Sequence, residues 1–221
     1  AFPDDPNEQV DTDGDGTGDN ADTDDDNDGL ADEVDAWPTG RFNDVDPATH
    51  FAFAFVETLE RSGVTGGCGN GNYCPENPVT RAQMAVFLER GINGAGFQPP
   101  PAAGNVFLDV GANDFGAAFI EQLFADGITG GCGGNNYCPL DNITRAQMAV
   151  FLLRAKFGSG YTPPPASGLF ADVPLGSFAV DWIEAMAAEG ITGGCGAGNF
   201  CPGDPVTRGQ MAVFLVRAFE L

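Results

Sequence analysis

Two sets of alternating aspartates are the first residues here with chemistry to offer. Asp11, Asp13, Asp15, Gly16, Asp19 and Asp22 form one set. Asp24, Asp26, Asp28, Gly29, Asp32 and Asp35 repeat it 13 residues later. In a calcium loop, positions 1, 3 and 5 supply carboxylates and a glycine at position 6 makes the turn. Position 7 supplies a backbone carbonyl, here from Thr17 and Leu30, and position 12 the last carboxylate. Hard oxygen donors at this spacing suit Ca²⁺ and not a thiophilic metal. The expected cofactor is Ca²⁺, bound in the extracellular range of about 10⁻⁴–10⁻³ M. The competing reading is a disordered acidic linker, which two in-register copies disfavour. Without metal the segment repels itself; with metal, binding and folding are coupled.

The cysteines come next. There are six, in three Cys-x5-Cys pairs: Cys68 with Cys74, Cys132 with Cys138, and Cys195 with Cys201. An even count at fixed spacing points to local disulfides and an oxidising compartment. In the chain-entropy model such a short closure is worth roughly 2–3 kcal/mol. A zinc site is the alternative, but the chain has one histidine, His50, and no Cys-x2-Cys pair.

The elements that position these residues recur. Cys68, Cys132 and Cys195 lie 64 and 63 residues apart, as do Arg81, Arg145 and Arg208. Each copy opens with Phe-x-Asp-Val at Phe42, Phe107 and Phe170. A first helix is expected next, with an i, i+4, i+5, i+8 stripe facing the core. That stripe is Phe51, Phe55, Val56 and Leu59, then Phe115, Phe119, Ile120 and Leu123, then Phe178, Trp182, Ile183 and Met186. Gly63, Gly127 and Gly190 sit where a helix-terminating glycine belongs. After the cysteine loop, Thr80, Thr144 and Thr207 stand three residues before Gln83, Gln147 and Gln210. That is a capping box opening a second helix. Proline-rich stretches at 98–104 and 161–168 read as stiff connectors. A unit of about 50 residues is marginal alone, so the three are expected to share one core.

The expected fold is mainly α: three helix-loop-helix repeats with disulfide-stapled loops, preceded by an irregular calcium-binding stalk. The expected boundaries are 1–38, 41–92, 105–157 and 168–221. The net charge is −23, yet residues 1–40 hold 15 of the 32 acids and no Lys or Arg. Such acidity argues against binding nucleic acid or anionic membranes. No run approaches the roughly 20 apolar residues of a membrane span. Ala1-Phe2-Pro3 resembles Ala36-Trp37-Pro38, so further acidic repeats are expected upstream. Nothing points to an enzyme. His50 is not repeated, the cysteines read as paired, and Glu57, Glu121 and Glu184 recur as structural residues would.

Two resemblances follow from these residues. Asp11-Thr12-Asp13-Gly14-Asp15-Gly16-Thr17-Gly18-Asp19-Asn20 resembles the thrombospondin type 3 repeat, which implies a calcium-wrapped extracellular stalk. Phe-x-Asp-Val, an aromatic-bearing helix, Gly-Ile-Thr-Gly-Gly and Thr-Arg-Ala-Gln-Met-Ala, three times over, resemble the S-layer homology domain. That family implies a pseudo-threefold bundle at the cell surface, whose grooves hold cell-envelope polysaccharide. Carried over by position, Arg81, Arg145 and Arg208, with Asp44, Asp109, Asp172 and Trp182, become candidate glycan-binding residues. An outward-aimed guanidinium suits an acidic sugar; the alternative role for each arginine is capping or pairing between repeats. Gln replaces the family's Glu in all three Thr-Arg motifs, Gly209 replaces Ala in the third, and only one copy keeps Trp. The expected partners are therefore envelope polysaccharide or copies of the same chain in a layer, filament or adhesive appendage.

Overall fold

The structure, a computed structural model, describes residues 8, 10–29, 31–34 and 37–221. Six helices follow the three copies. They are α1 (Phe53–Arg61), α2 (Arg81–Asn93), α3 (Ala117–Ala125), α4 (Arg145–Phe157), α5 (Val180–Ala188) and α6 (Arg208–Phe219). No strand forms among the described residues; there are only isolated bridges.

The second helices start where the capping boxes predict. Thr80, Thr144 and Thr207 accept from the backbone N–H of Gln83, Gln147 and Gln210, whose side chains accept in return from the threonine N–H. A helix leaves its first N–H groups without internal partners. Here the next repeat takes two of them. Arg81 N donates to Asp141 O (2.9 Å) and Ala82 N to Pro139 O (3.0 Å), and the other two copies repeat the pattern around the ring. The ring closes on its own axis. Val79 N donates to Val206 O, Val206 N to Ile143 O and Ile143 N to Val79 O, at 2.8–3.0 Å. All three side chains are fully buried.

Helices α2, α4 and α6 pack together at the centre. Helix α1 lies on α6, α3 on α2 and α5 on α4. Each first helix therefore leans on the preceding copy, and α1 closes the circle onto the third. Met84, Leu88, Met148, Leu152, Met211 and Leu215 fill the axis with no exposed surface. The linkers are held as well. Glu121 accepts from Ala103 N and Gly104 N, and Glu184 from Ser167 N, Gly168 N and Leu169 N. Glu57 accepts from Arg41 N in the same way.

One expectation needs correcting. Phe51, Phe115 and Phe178 do not start the buried stripe; they are 62%, 68% and 68% exposed. The first helices begin two residues later, at Phe53, Ala117 and Val180. Without the helical period to turn them inward, these rings remain on the loops ahead of the helices.

The described acidic residues hold neither helix nor strand and rest against α1. Asp28 pairs with Arg61, and Arg41 pairs with Glu60 (3.4 Å) while stacking on Trp37 (4.5 Å). The other copies have Ala125 and Ala188 where Arg61 stands, and Val106 and Leu169 where Arg41 stands. Only the copy beside the acidic segment is basic at these positions.

Glu89 is a second singular residue. It is fully buried on α2, where the other copies carry Leu153 and Val216. Its Oε2 accepts from Asn93 Nδ2 (3.1 Å), but its Oε1 has no partner. Burial, with Asp126 adding to it, pushes its carboxyl up to about 7 against the Asn93 bond. Between the ordinary value near 4.5 and about 7, the folded protein keeps a proton that the unfolded chain has released. Stability therefore falls as pH rises through that window and levels off above it. Glu89→Gln should add about 1–3 kcal/mol at pH ~8 and almost nothing at pH ~4.5, read by urea unfolding at both. Equal effects at the two pH values would contradict this account.

Candidate functional site

Each candidate site begins at a glycine turn. Gly63 adopts a left-handed backbone (φ 72°) and ends α1, as Gly127 and Gly190 do in their copies. The Val/Ile-Thr-Gly-Gly loop follows. Thr65 Oγ1 accepts from Gly67 N, and a Cβ on Gly67 would strike the Asn72 carbonyl oxygen. The disulfides Cys68–Cys74, Cys132–Cys138 and Cys195–Cys201 then close the loops.

The second cysteine of each pair is itself left-handed (φ 59–60°), a conformation that L-residues seldom adopt. A carboxylate holds it there. Asp44 accepts from Tyr73 N (2.7 Å) and Cys74 N (2.8 Å). Asp109 does so for Tyr137 and Cys138, and Asp172 for Phe200 and Cys201. Burial pushes the Asp172 carboxyl up, but the N–H bonds from Phe200 and Cys201 outweigh it and leave it below the usual range. Both oxygens of each aspartate are thus spent on backbone, and none of the three lines a groove.

This clamp turns the aromatic residue's carbonyl toward another repeat. Arg208 Nε donates to Tyr73 O, Arg81 Nε to Tyr137 O and Arg145 Nε to Phe200 O, all at 2.7 Å. The tyrosines answer: Tyr73 Oη donates to Arg208 O and Tyr137 Oη to Arg81 O. Each guanidinium also lies over its aromatic partner at 4.6–4.8 Å. The three arginines do not point outward, as the sequence suggests. They are 3–6% exposed. Burial pulls their pKa values below the usual range, although a guanidinium stays charged throughout.

Even so, they floor three open grooves of about 460, 370 and 350 Å³. Every groove draws on all three repeats. The first lies between the 64–68 loop and α2, with Arg208 from repeat 3 and Phe115 from repeat 2. The second lies between the 128–132 loop and α4, with Arg81 and Phe178. The third lies between the 191–194 loop and α6, with Arg145, Phe51 and Phe55. In each arginine the Nη2 is buried with no hydrogen-bond partner. No carboxylate lines any of the three grooves among the described residues.

Trp182 is not a groove residue. It packs behind, against Tyr161 (5.8 Å) and under Arg154 (5.4 Å). The exposed groove rings are Phe51, Phe115 and Phe178; the buried Phe214, Phe87 and Phe151 line the same grooves, and Phe55, the counterpart of Trp182, joins the third. The nearly constant place of the exposed rings, nine residues after Phe42 and eight after Phe107 and Phe170, was the available signal. The sequence reading also passed over Arg90, Arg154 and Arg217, which line the same grooves.

In the acidic segment, carboxylate oxygens of Asp11, Asp13 and Asp15 gather within 4.8 Å of one another, as do those of Asp24, Asp26 and Asp28. Gly16 and Gly29 take left-handed turns at position 6 (φ 98° and 91°). Asp11 Oδ1 and Asp13 Oδ2 are buried without a hydrogen-bond partner. Desolvation and then the charges of Asp32, Asp19, Asp22 and Glu8 push Asp25 up to about 6. Uncompensated hard oxygens crowded this way fit Ca²⁺. Asp19 instead accepts from Thr12, Asp22 from Thr23 N and Asp24 N, and Asp32 from Asp25 N. Thr17 N donates to Asp15. Leu30 and Asp35 lie outside the described residues.

Three helix-loop-helix copies, closed into a ring with a groove at each joint, define a cyclic repeat module. The S-layer homology domain model matches residues 41–85, 106–149 and 169–212, and the chain belongs to that family. Among curated relatives, the surface-layer 125 kDa protein of Lysinibacillus sphaericus is 28% identical over 81% of this chain. The cell surface protein of Thermoanaerobacter kivui is 27% identical over 83%. An endoglucanase of a Bacillus species is 32% identical over 52%. The matched regions make up 15%, 22% and 12% of those proteins. Family membership places the chain at the cell surface, and no helix among the described residues is long and apolar enough to cross a membrane.

The two kinds of aromatic should respond differently to truncation. Trp182→Ala should cost about 2–4 kcal/mol by calorimetry or urea unfolding. Phe115→Ala and Phe178→Ala should stay within about 0.5 kcal/mol of the parent. The reverse order would mean that the exposed rings serve the fold.

Proposed function

We propose that this region is a non-catalytic extracellular anchor whose three grooves bind acidic cell-envelope polysaccharide. One observation carries this: each groove floor holds a buried arginine Nη2 with no partner, in a groove with no carboxylate. A buried donor left unpaired costs about 1–3 kcal/mol, and more when charged. An oxyanion on a sugar would repay that, with the Phe51, Phe115 or Phe178 ring against the sugar face. Three linked grooves then gain by effective concentration what each lacks alone. Similarity to both surface-layer proteins and an endoglucanase supports holding rather than cutting as the shared task. Self-assembly is the second reading, favoured by the exposed Leu108 (81%) and Leu140 (85%). Polymers of protein alone, seen in electron micrographs, would favour it.

The anchor reading is tested by sedimentation with purified envelope. Arg81→Lys, Arg145→Lys and Arg208→Lys together should reduce co-sedimentation by about tenfold or more, since Lys lacks the fork that serves carbonyl and ligand at once. Because these side chains also tie repeats together, the Phe51→Ala, Phe115→Ala, Phe178→Ala triple variant provides a second arm that leaves the fold alone. Wild-type binding by both would end the proposal.

We propose further that residues 11–35 bind Ca²⁺ through Asp11, Asp13, Asp15, Asp24, Asp26 and Asp28. The remaining positions of each loop, among them Thr17, Asp19, Asp22 and Asp32, complete it. The ion would supply the positive charge that this crowd of carboxylates lacks. A chelator should open residues 8–40 to protease while 41–221 stays resistant; unchanged cleavage would refute it.

A further inference from the structure

The chain has 32 acidic residues and eight arginines. Among the described residues only Arg41 and Arg61 form ion pairs with carboxylates. The other six line the grooves, and among the described residues none of them forms an ion pair with a carboxylate. Three are the floor residues already described. The other three are Arg90, Arg154 and Arg217, nine residues after Arg81, Arg145 and Arg208. At about 100° per residue, nine steps of a helix bring a side chain to the opposite face. Each second helix therefore serves two neighbouring grooves. Helix α2 gives Arg81 to the second groove and Arg90 to the first, α4 gives Arg145 to the third and Arg154 to the second, and α6 gives Arg208 to the first and Arg217 to the third.

The second arginines are held, but loosely. Arg90 Nη1 donates to Val64 O (3.4 Å), Arg154 Nη1 to Ile128 O (3.3 Å) and Arg217 Nη1 to Ile191 O (3.4 Å). Their guanidinium groups lie over Phe119, Trp182 and Phe55 at 5.8, 5.4 and 5.2 Å. Arg90 Nε and Arg154 Nε are buried with no hydrogen-bond partner. One long bond to a carbonyl leaves most of the five donors of a guanidinium unused. An aromatic face below and a loop carbonyl at one edge fix its plane.

We infer that Arg90, Arg154 and Arg217 are ligand-contacting residues, so that each groove takes a sugar-borne oxyanion between two guanidinium groups from different repeats. The inference rests on the groove reading above and deepens it. A carboxylate or phosphate has oxygens enough to accept from both. Because the two arginines come from different repeats, the ligand also bridges the joint between them, and its binding stabilises the ring.

The test uses the full chain, purified envelope sacculi and a series of sodium chloride concentrations. The triple variant Arg90→Gln, Arg154→Gln, Arg217→Gln should bind at least about tenfold more weakly near 0.15 M salt. Its affinity should also depend less steeply on salt, because charges that meet the ligand have been removed. The corresponding triple Lys variant should keep the salt dependence, and sacculi should raise the melting temperature of the parent more than that of the Gln variant. Wild-type binding and salt dependence in the Gln variant, alongside weakened binding by the Arg81, Arg145, Arg208 variant, would overturn this inference and leave the groove reading standing. Parallel loss of binding and melting temperature in the Gln and Lys variants would reduce the three to structural pins. Normal binding by both arginine sets would defeat the groove reading as well.

Discussion

An arginine side chain donating to the backbone carbonyl of another repeat is the contact on which the rest depends. It is made three times around the ring and is buried each time. Burying a guanidinium without a carboxylate is costly. The cost is offset by the short bond to the carbonyl, the aromatic ring beneath and, in two copies, the tyrosine hydroxyl that returns a bond to the arginine's own carbonyl. The carbonyl must be presented at the correct angle. That presentation is the joint task of the aspartate clamp, the left-handed cysteine and the disulfide. Fold and groove are therefore built from the same residues, and the groove floor is the outer edge of a joint between repeats.

The charge distribution follows the same division. The floor arginines have aspartates nearby, Asp141 and Asp109 for Arg81, Asp204 and Asp172 for Arg145 and Asp44 for Arg208, but no carboxylate lines their grooves among the described residues. Fifteen of the 32 acids lie in the first 40 residues, and five of those nearest the repeat joints and linkers, Asp44, Asp109, Asp172, Glu121 and Glu184, are occupied with backbone N–H groups. The acidic segment meets the ring at the one copy whose surface turned basic, through Arg41 and Arg61. Three internal copies thus act as controls on one another. Where all agree, as at the capping boxes, the residue builds the repeat. Where one departs, as at Glu89 or Arg61, it answers to its own surroundings.

Much of this was legible in the sequence, because it is local. The capping boxes, the glycine that ends each first helix, the Cys-x5-Cys closure and the spacing of the calcium-type loops are all set within a dozen residues. Local sterics and hydrogen bonding decide them whatever the tertiary fold. The repeat period likewise announced three equivalent units and one shared core. What misled was the helical stripe, which swept in Phe51, Phe115 and Phe178 because periodicity cannot tell where a helix starts. Trp182 entered the groove set by position in the family resemblance, whereas the stripe had already turned it toward the core, where it packs.

The arginines show the limit most clearly. The sequence determined that a guanidinium follows each Thr cap, at a helix start that fixes its direction along the helix. Only the tertiary structure decided what it meets: the carbonyl of a residue more than 50 positions away, in a different repeat. It also decided that Arg90, on the opposite face of the helix from Arg81, joins Arg208 in the same groove. Such pairings depend on how three copies close into a ring, and closure is a property of the packed whole that no single copy encodes.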